Sequence, residues 1–114
     1  MNSHQKRAYE TEMNKAKHYY QGGKFNCCFE HLERAHILGQ RQTRYHLTSH
    51  WWMLKVAIQN NNMREIRGQI LRILASLLFS KIWVPKGNTG GANVSAFKSM
   101  PIPKELKEYF VEHE

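Results

Sequence analysis

Cysteine is nearly missing from this chain: 114 residues carry two, and these are neighbours, Cys27 and Cys28. On a helix, successive side chains diverge by about 100°, so a bond between the two would be strained. Reduced thiols and a reducing compartment are therefore expected, with Cys28 in the core and Cys27 on the surface. Long apolar runs are missing too. The longest, from Ile70 to Val84, is interrupted by Arg72, Ser76, Ser80 and Lys81, which makes it too short and too polar for a membrane span. No apolar segment follows Met1 to Arg7, so no signal peptide is expected and a cytoplasmic location is. Acidic residues are scarce, 9 against 17 Lys and Arg, for a net charge of +8. The basic residues are scattered with no run of four. That pattern suits a solvated basic surface, and a nucleic-acid interface is not expected.

What the chain does have is helical periodicity. Its length suits one domain, residues 1–114, with a real core. Ala8, Tyr9, Glu12, Met13, Ala16, Tyr19 and Tyr20 recur at three- and four-residue steps, the helical period. They predict a first helix over about 3–21, stopped by Gly22-Gly23. A second helix, about 24–39, ends at Gly39. A third, about 42–59, presents Leu47, His50, Trp51, Leu54, Ala57 and Ile58 on one face and ends at Asn60-Asn61-Asn62. Trp52 then points outward, either a candidate contact or simply half-buried packing, the second being favoured. A fourth helix, about 63–82, shows Ile66, Ile70, Ile73, Leu74, Leu77 and Leu78.

Short links between such helices make them antiparallel. The expected fold is all-α: two antiparallel helical hairpins, tetratricopeptide-like or four-helix-bundle-like. Tyr19, Gly23, Phe25, Cys28, Leu32 and Ala35 fall where a tetratricopeptide repeat places its packing residues. Met63, Ile66, Ile70 and Ile73 echo the last four in the second hairpin. Gly, Asn and Pro dominate from Trp83 to Ser95, so 83–103 reads as an irregular capping loop anchored by Trp83, Val94 and Phe97. The Gly-Asn-Thr-Gly-Gly run within it lacks the Lys and the flanking strand and helix of a phosphate loop. A short C-terminal helix, 104–114, closes the chain.

The second helix holds the polar residues that call for an explanation. Phe25, Cys28, Phe29, Leu32, Ala35 and Gly39 form its apolar stripe, yet His36 lies inside that stripe and Glu33 on its flank. A histidine within a core stripe needs a partner. Helix three supplies His46 and His50, four apart and so stacked on one face. Glu33 and His36 make a Glu-x-x-His pair of the kind that di-metal four-helix proteins turn inward. Helix four adds Glu65 and Gln69.

Glu33, His36, His46, His50 and Glu65 are thus candidate ligands of one metal site between helices two, three and four. Imidazoles with a carboxylate suit zinc, iron, manganese or copper and not calcium. Without the Glu of His-Glu-x-x-His there is no metalloprotease motif. The alternative is a structural network of Glu33, His36, His50 and Gln69, in a helical module that binds a protein partner through its surface. The remaining histidines, His4, His18, His31 and His113, read as surface.

Several longer stretches carry a resemblance: Leu32-Glu-Arg-Ala-His-Ile-Leu-Gly-Gln40, His46-x-x-x-His50-x-x-Met53-Leu54, Glu65-x-x-Gly68-Gln69, Trp83-x-Pro85-x-Gly87-Asn-Thr-Gly-Gly-Ala-x-Val94-Ser95 and Met100-Pro-Ile-Pro103. Together they resemble a small bacterial family known as a domain of unknown function. The likeness implies a bacterial source and a single-domain protein, and it implies no reaction. Its motif positions include Glu33, His36, His46, His50, Glu65 and Gln69.

Overall fold

A computed structural model describes residues 1–79 and 100–110. Among these the chain is all-α, with α1 (Ser3–Gln21), α2 (Phe25–Gly39), α3 (Thr43–Gln59), α4 (Met63–Phe79) and a short α5 (Lys104–Lys107) that continues as a 3₁₀ turn, Glu108–Phe110. The expected loop from Trp83 with its anchors, the last residues of helix four and the chain end beyond Phe110 lie outside the described residues. No helix described is long and apolar enough to cross a membrane.

The helix ends follow from local chemistry. Asn2 caps α1, its side-chain oxygen accepting the Gln5 N–H at 2.7 Å. At the other end Gly23 takes a left-handed φ of 73°. Its N–H then donates to the Tyr20 carbonyl, and Lys24 N–H to that of Tyr19, a Schellman termination. Asn61 repeats the device after α3 with φ 51°, closing Asn62 N–H onto the Ala57 carbonyl. Asn62 then caps α4 by accepting the Glu65 N–H. Each turn reverses the chain within a few residues and produces the two antiparallel hairpins.

Packing is serial: α1 lies along α2, α2 along α3 and α3 along α4. The core joins Tyr9, Met13 and Ala16 of α1, Cys28, Leu32, Ala35 and Leu38 of α2, and Met53 and Val56 of α3, with Leu106 of α5 closing one side. Glu12 is buried here, accepting from His31 at 2.6 Å and Arg34 at 3.1 Å. Arg34 also reaches Glu105 and ties down the C-terminal segment. The surface reading of His31 is thereby corrected. Its half-buried ring also stacks on Tyr19.

Serial packing corrects two predicted faces. On α3 the buried residues are Ser49, His50, Met53, Val56 and Ala57, while Trp51 and Ile58 are exposed. Trp52 is half-buried, as the favoured reading had it, packing against Tyr20 with the Lys55 ammonium 3.9 Å from its ring centroid. On α4 Gln69 and Ser76 are buried, whereas Ile70, Leu71, Leu74, Leu77 and Leu78 are 44–72% exposed. Among the described residues α4 has α3 as its one extensive partner, so only a narrow stripe of α4 is covered. The second hairpin therefore does not repeat the burial of the first.

At Gly39 the helices meet too closely for a side chain. A Cβ built there would lie 2.8 Å from the Tyr45 Cβ and 3.0 Å from the Tyr9 ring. Those two tyrosines are themselves joined, Tyr9 O–H donating to the Tyr45 carbonyl at 3.0 Å. Both neighbours are stiff, so an added methyl group must push helices apart. Gly39→Ala is expected to cost about 1–3 kcal/mol, read as a lower urea midpoint. An unchanged midpoint would show that the junction yields freely.

Candidate metal centre

The polar residues of the core stripe meet between α2, α3 and α4. His36 projects from the last turns of α2 toward α3, where His46 and His50 stand one above the other. Their three Nε2 atoms form a near-equilateral triangle. His46 to His36 is 2.9 Å, His46 to His50 is 3.0 Å and His36 to His50 is 3.1 Å. The rings are inclined to one another by 59–72°, so they splay outward and only the Nε2 corners converge. Among the described residues these three histidines are the one His, Cys or Glu cluster with metal-ligand spacing.

Helix α4 orients the rings from behind. The His50 Nδ1 lies 2.6 Å from Gln69 Oε1, and Gln69 Nε2 donates to Glu65 Oε2 at 2.9 Å. The His46 Nδ1 lies 3.0 Å from Ser76 Oγ. Burial sets the charge state. It lowers His46 from the ordinary 6.5 to about 4. It lowers His50 further, to about 3, helped by the charge of neighbouring His46 and opposed by the bond to Gln69, with Arg72 a smaller unfavourable charge. Both imidazoles are neutral near pH 7, the form that binds metals.

The five residues proposed from helical spacing separate into two groups. His36, His46 and His50 are brought together. Glu65 stands behind Gln69, one residue removed from the triangle. Glu33 lines, with Glu30, Glu65, Phe29 and Val56, a cleft of about 390 Å³ bounded by α2, α3 and the start of α4.

With that geometry in hand, the comparison with known families is specific. Residues 3–110 match the family described as a protein of unknown function, DUF3703. The chain belongs to the DUF3703 family. No curated protein and no solved structure matches it.

In this DUF3703 chain, sequence reasoning missed Ser76. It interrupts an apolar run and so counted only against a membrane span. A signal existed: Gln69 and Ser76 are seven residues apart, two turns along one face, and are the buried polar residues of α4.

The lowered pKa values fix the acid response of the metal-free protein. A histidine whose folded pKa lies below 6.5 favours the fold fully above that value. The stability is lost as pH falls from 6.5 through about 4 for His46 and about 3 for His50. The urea midpoint is expected to drop across this window, and less so in a His46→Gln/His50→Gln variant. Equal slopes for the two proteins would contradict the buried neutral state.

Proposed function

We propose that this protein binds a divalent transition-metal ion through His36, His46 and His50. One observation carries the reading: the three Nε2 atoms are all in mutual contact. A neutral ring nitrogen is either a donor or an acceptor. With three atoms and two states, two must share a state. One edge therefore always sets N–H against N–H or lone pair against lone pair, wherever protons are placed. Protonating a ring only turns an acceptor into a donor and leaves the conflict. A cation removes it, because all three lone pairs then point at one positive charge.

The triangle has the right size. Nitrogens about 3 Å apart are close enough together for one ion to lie about 2.0–2.1 Å from each. A purely structural network of the same side chains would keep one unfavourable edge in a buried site, where such contacts weigh most. Three imidazole donors suit zinc, copper and iron better than manganese, which prefers oxygen ligands. Three protein donors leave a coordination position open, as catalytic zinc sites do; buffering or sensing the ion does not require that opening.

Protein purified without a metal-affinity tag is expected to carry about one equivalent of zinc, copper, iron or manganese by elemental analysis. His36→Ala and His50→Ala should lose it. Wild type that is metal-free and gains no thermal stability from any of these ions would remove the proposal, since an ion bound to the fold must stabilise it.

A second reading, a helical module for a protein partner, draws on exposed Trp51, Leu71, Leu74, Leu77 and Leu78. An apolar face of this kind often marks an interaction surface. Leu71→Ser and Leu78→Ser separate the two readings: they change that face and are expected to leave metal uptake untouched.

A further inference from the structure

Glu65 holds a position that metal ligation does not require. Its carboxylate accepts from Gln69 Nε2, and Gln69 Oε1 faces the His50 Nδ1. The glutamine amide is a two-way connector. Turned one way it offers its oxygen to the imidazole, and turned the other way it offers its NH₂. A carboxylate can only accept, so Glu65 takes the NH₂ and leaves Oε1 for His50. An oxygen at 2.6 Å demands a hydrogen on Nδ1. In a neutral ring the hydrogen is then absent from Nε2, the atom that faces the triangle.

We infer that Glu65, acting through Gln69, is a positioning residue that locks His50 in the Nδ1–H tautomer, so that its Nε2 lone pair is always presented to the metal. The inference rests on the metal reading for its purpose, but the lock itself exists in the metal-free protein. His46 has no such lock, because the Ser76 hydroxyl beside its Nδ1 can donate or accept with equal ease. His50 is thus fixed from outside the triangle. An amide at position 65 can donate as well as accept, so it no longer dictates which end of the Gln69 amide it faces. His50 can then place its hydrogen on Nε2, against the other two nitrogens, and that hydrogen must leave before an ion can bind.

The test is Glu65→Gln, nearly isosteric, together with the swap Glu65→Gln/Gln69→Glu. In the swap a carboxylate at position 69 accepts directly from His50 Nδ1, and the lock is restored. Two-bond ¹H–¹⁵N correlation spectra of metal-free protein report the His50 tautomer, and zinc titrations report affinity. Wild type and the swap should show Nδ1–H; Glu65→Gln should show a mixture with Nε2–H. Zinc affinity should fall about 10–100-fold in Glu65→Gln, the usual cost of losing such an outer partner, and recover in the swap. A Glu65→Gln protein whose His50 stays wholly Nδ1–H overturns the lock, whatever its affinity. If the tautomer shifts as expected and zinc binds none of the three proteins, the lock stands and the metal reading fails.

Discussion

Three ring nitrogens about 3 Å apart in the interior of a helical array form the contact on which the rest of this structure turns. Two of them share α3 and keep their spacing by helical geometry alone. The third comes from α2, so the triangle exists only while α2 and α3 hold their separation. That separation is set three residues beyond His36, where Gly39 meets Tyr45 and Tyr9 with no room for another carbon. The hydrogen bond from Tyr9 to the Tyr45 backbone brings α1 into the same junction. Helix α4 completes the arrangement from the other side, and it does so with Glu65, Gln69 and Ser76.

The two hairpins divide the work. The first buries most of the apolar core and satisfies its one deeply placed acid, Glu12, with His31 and Arg34. There the opposite charges are matched and nothing further is needed. The second hairpin buries imidazoles held neutral at pH 7 and backs them with an amide and a hydroxyl. Burying polar groups, even hydrogen-bonded ones, gains less than burying apolar surface. The dense first hairpin is placed next to the polar seam and supplies that apolar burial.

Much of this was legible in the chain itself. The helix stops at Gly22-Gly23 and Asn60-Asn61-Asn62 follow from residues able to take the left-handed conformation, and the structure uses Gly23 and Asn61 for it. His46 and His50 announce a shared face by their four-residue step, and His36 by lying within a stripe of small and apolar residues. The faces of α3 and α4 were harder to read. Apolar residues at 63, 66, 70, 71, 73, 74, 77 and 78 fall within about 160° of α4 at about 100° per residue, so periodicity does choose a side, and the structure buries Gln69 and Ser76 of the opposite, polar side instead. On α3, Trp51 and Trp52 are adjacent, so a modest turn of the helix decides which ring is covered. The pairing of His31 with Glu12 joins two helices across 19 residues, and no spacing within either helix announces it. The tautomer-setting pair Gln69 and Glu65 carried the right residue types, but their order behind His50 depends on how α4 is turned.

The three histidines also lie close together along the chain. His36 precedes His46 by 10 residues and His50 by 14, whereas Gln69 and Ser76 reach back over 19 and 30. Closing short loops costs little chain entropy, so the three donors can meet once α2 and α3 pair, whether or not α4 is in place. An ion taken up at that stage would bind unfolded and partly folded chains as well as the native one, which reduces the net stability it confers. Its larger effect would be on the route of folding, by tying the middle of the chain together early. The last helix to dock would then act on a centre already gathered, orienting its rings.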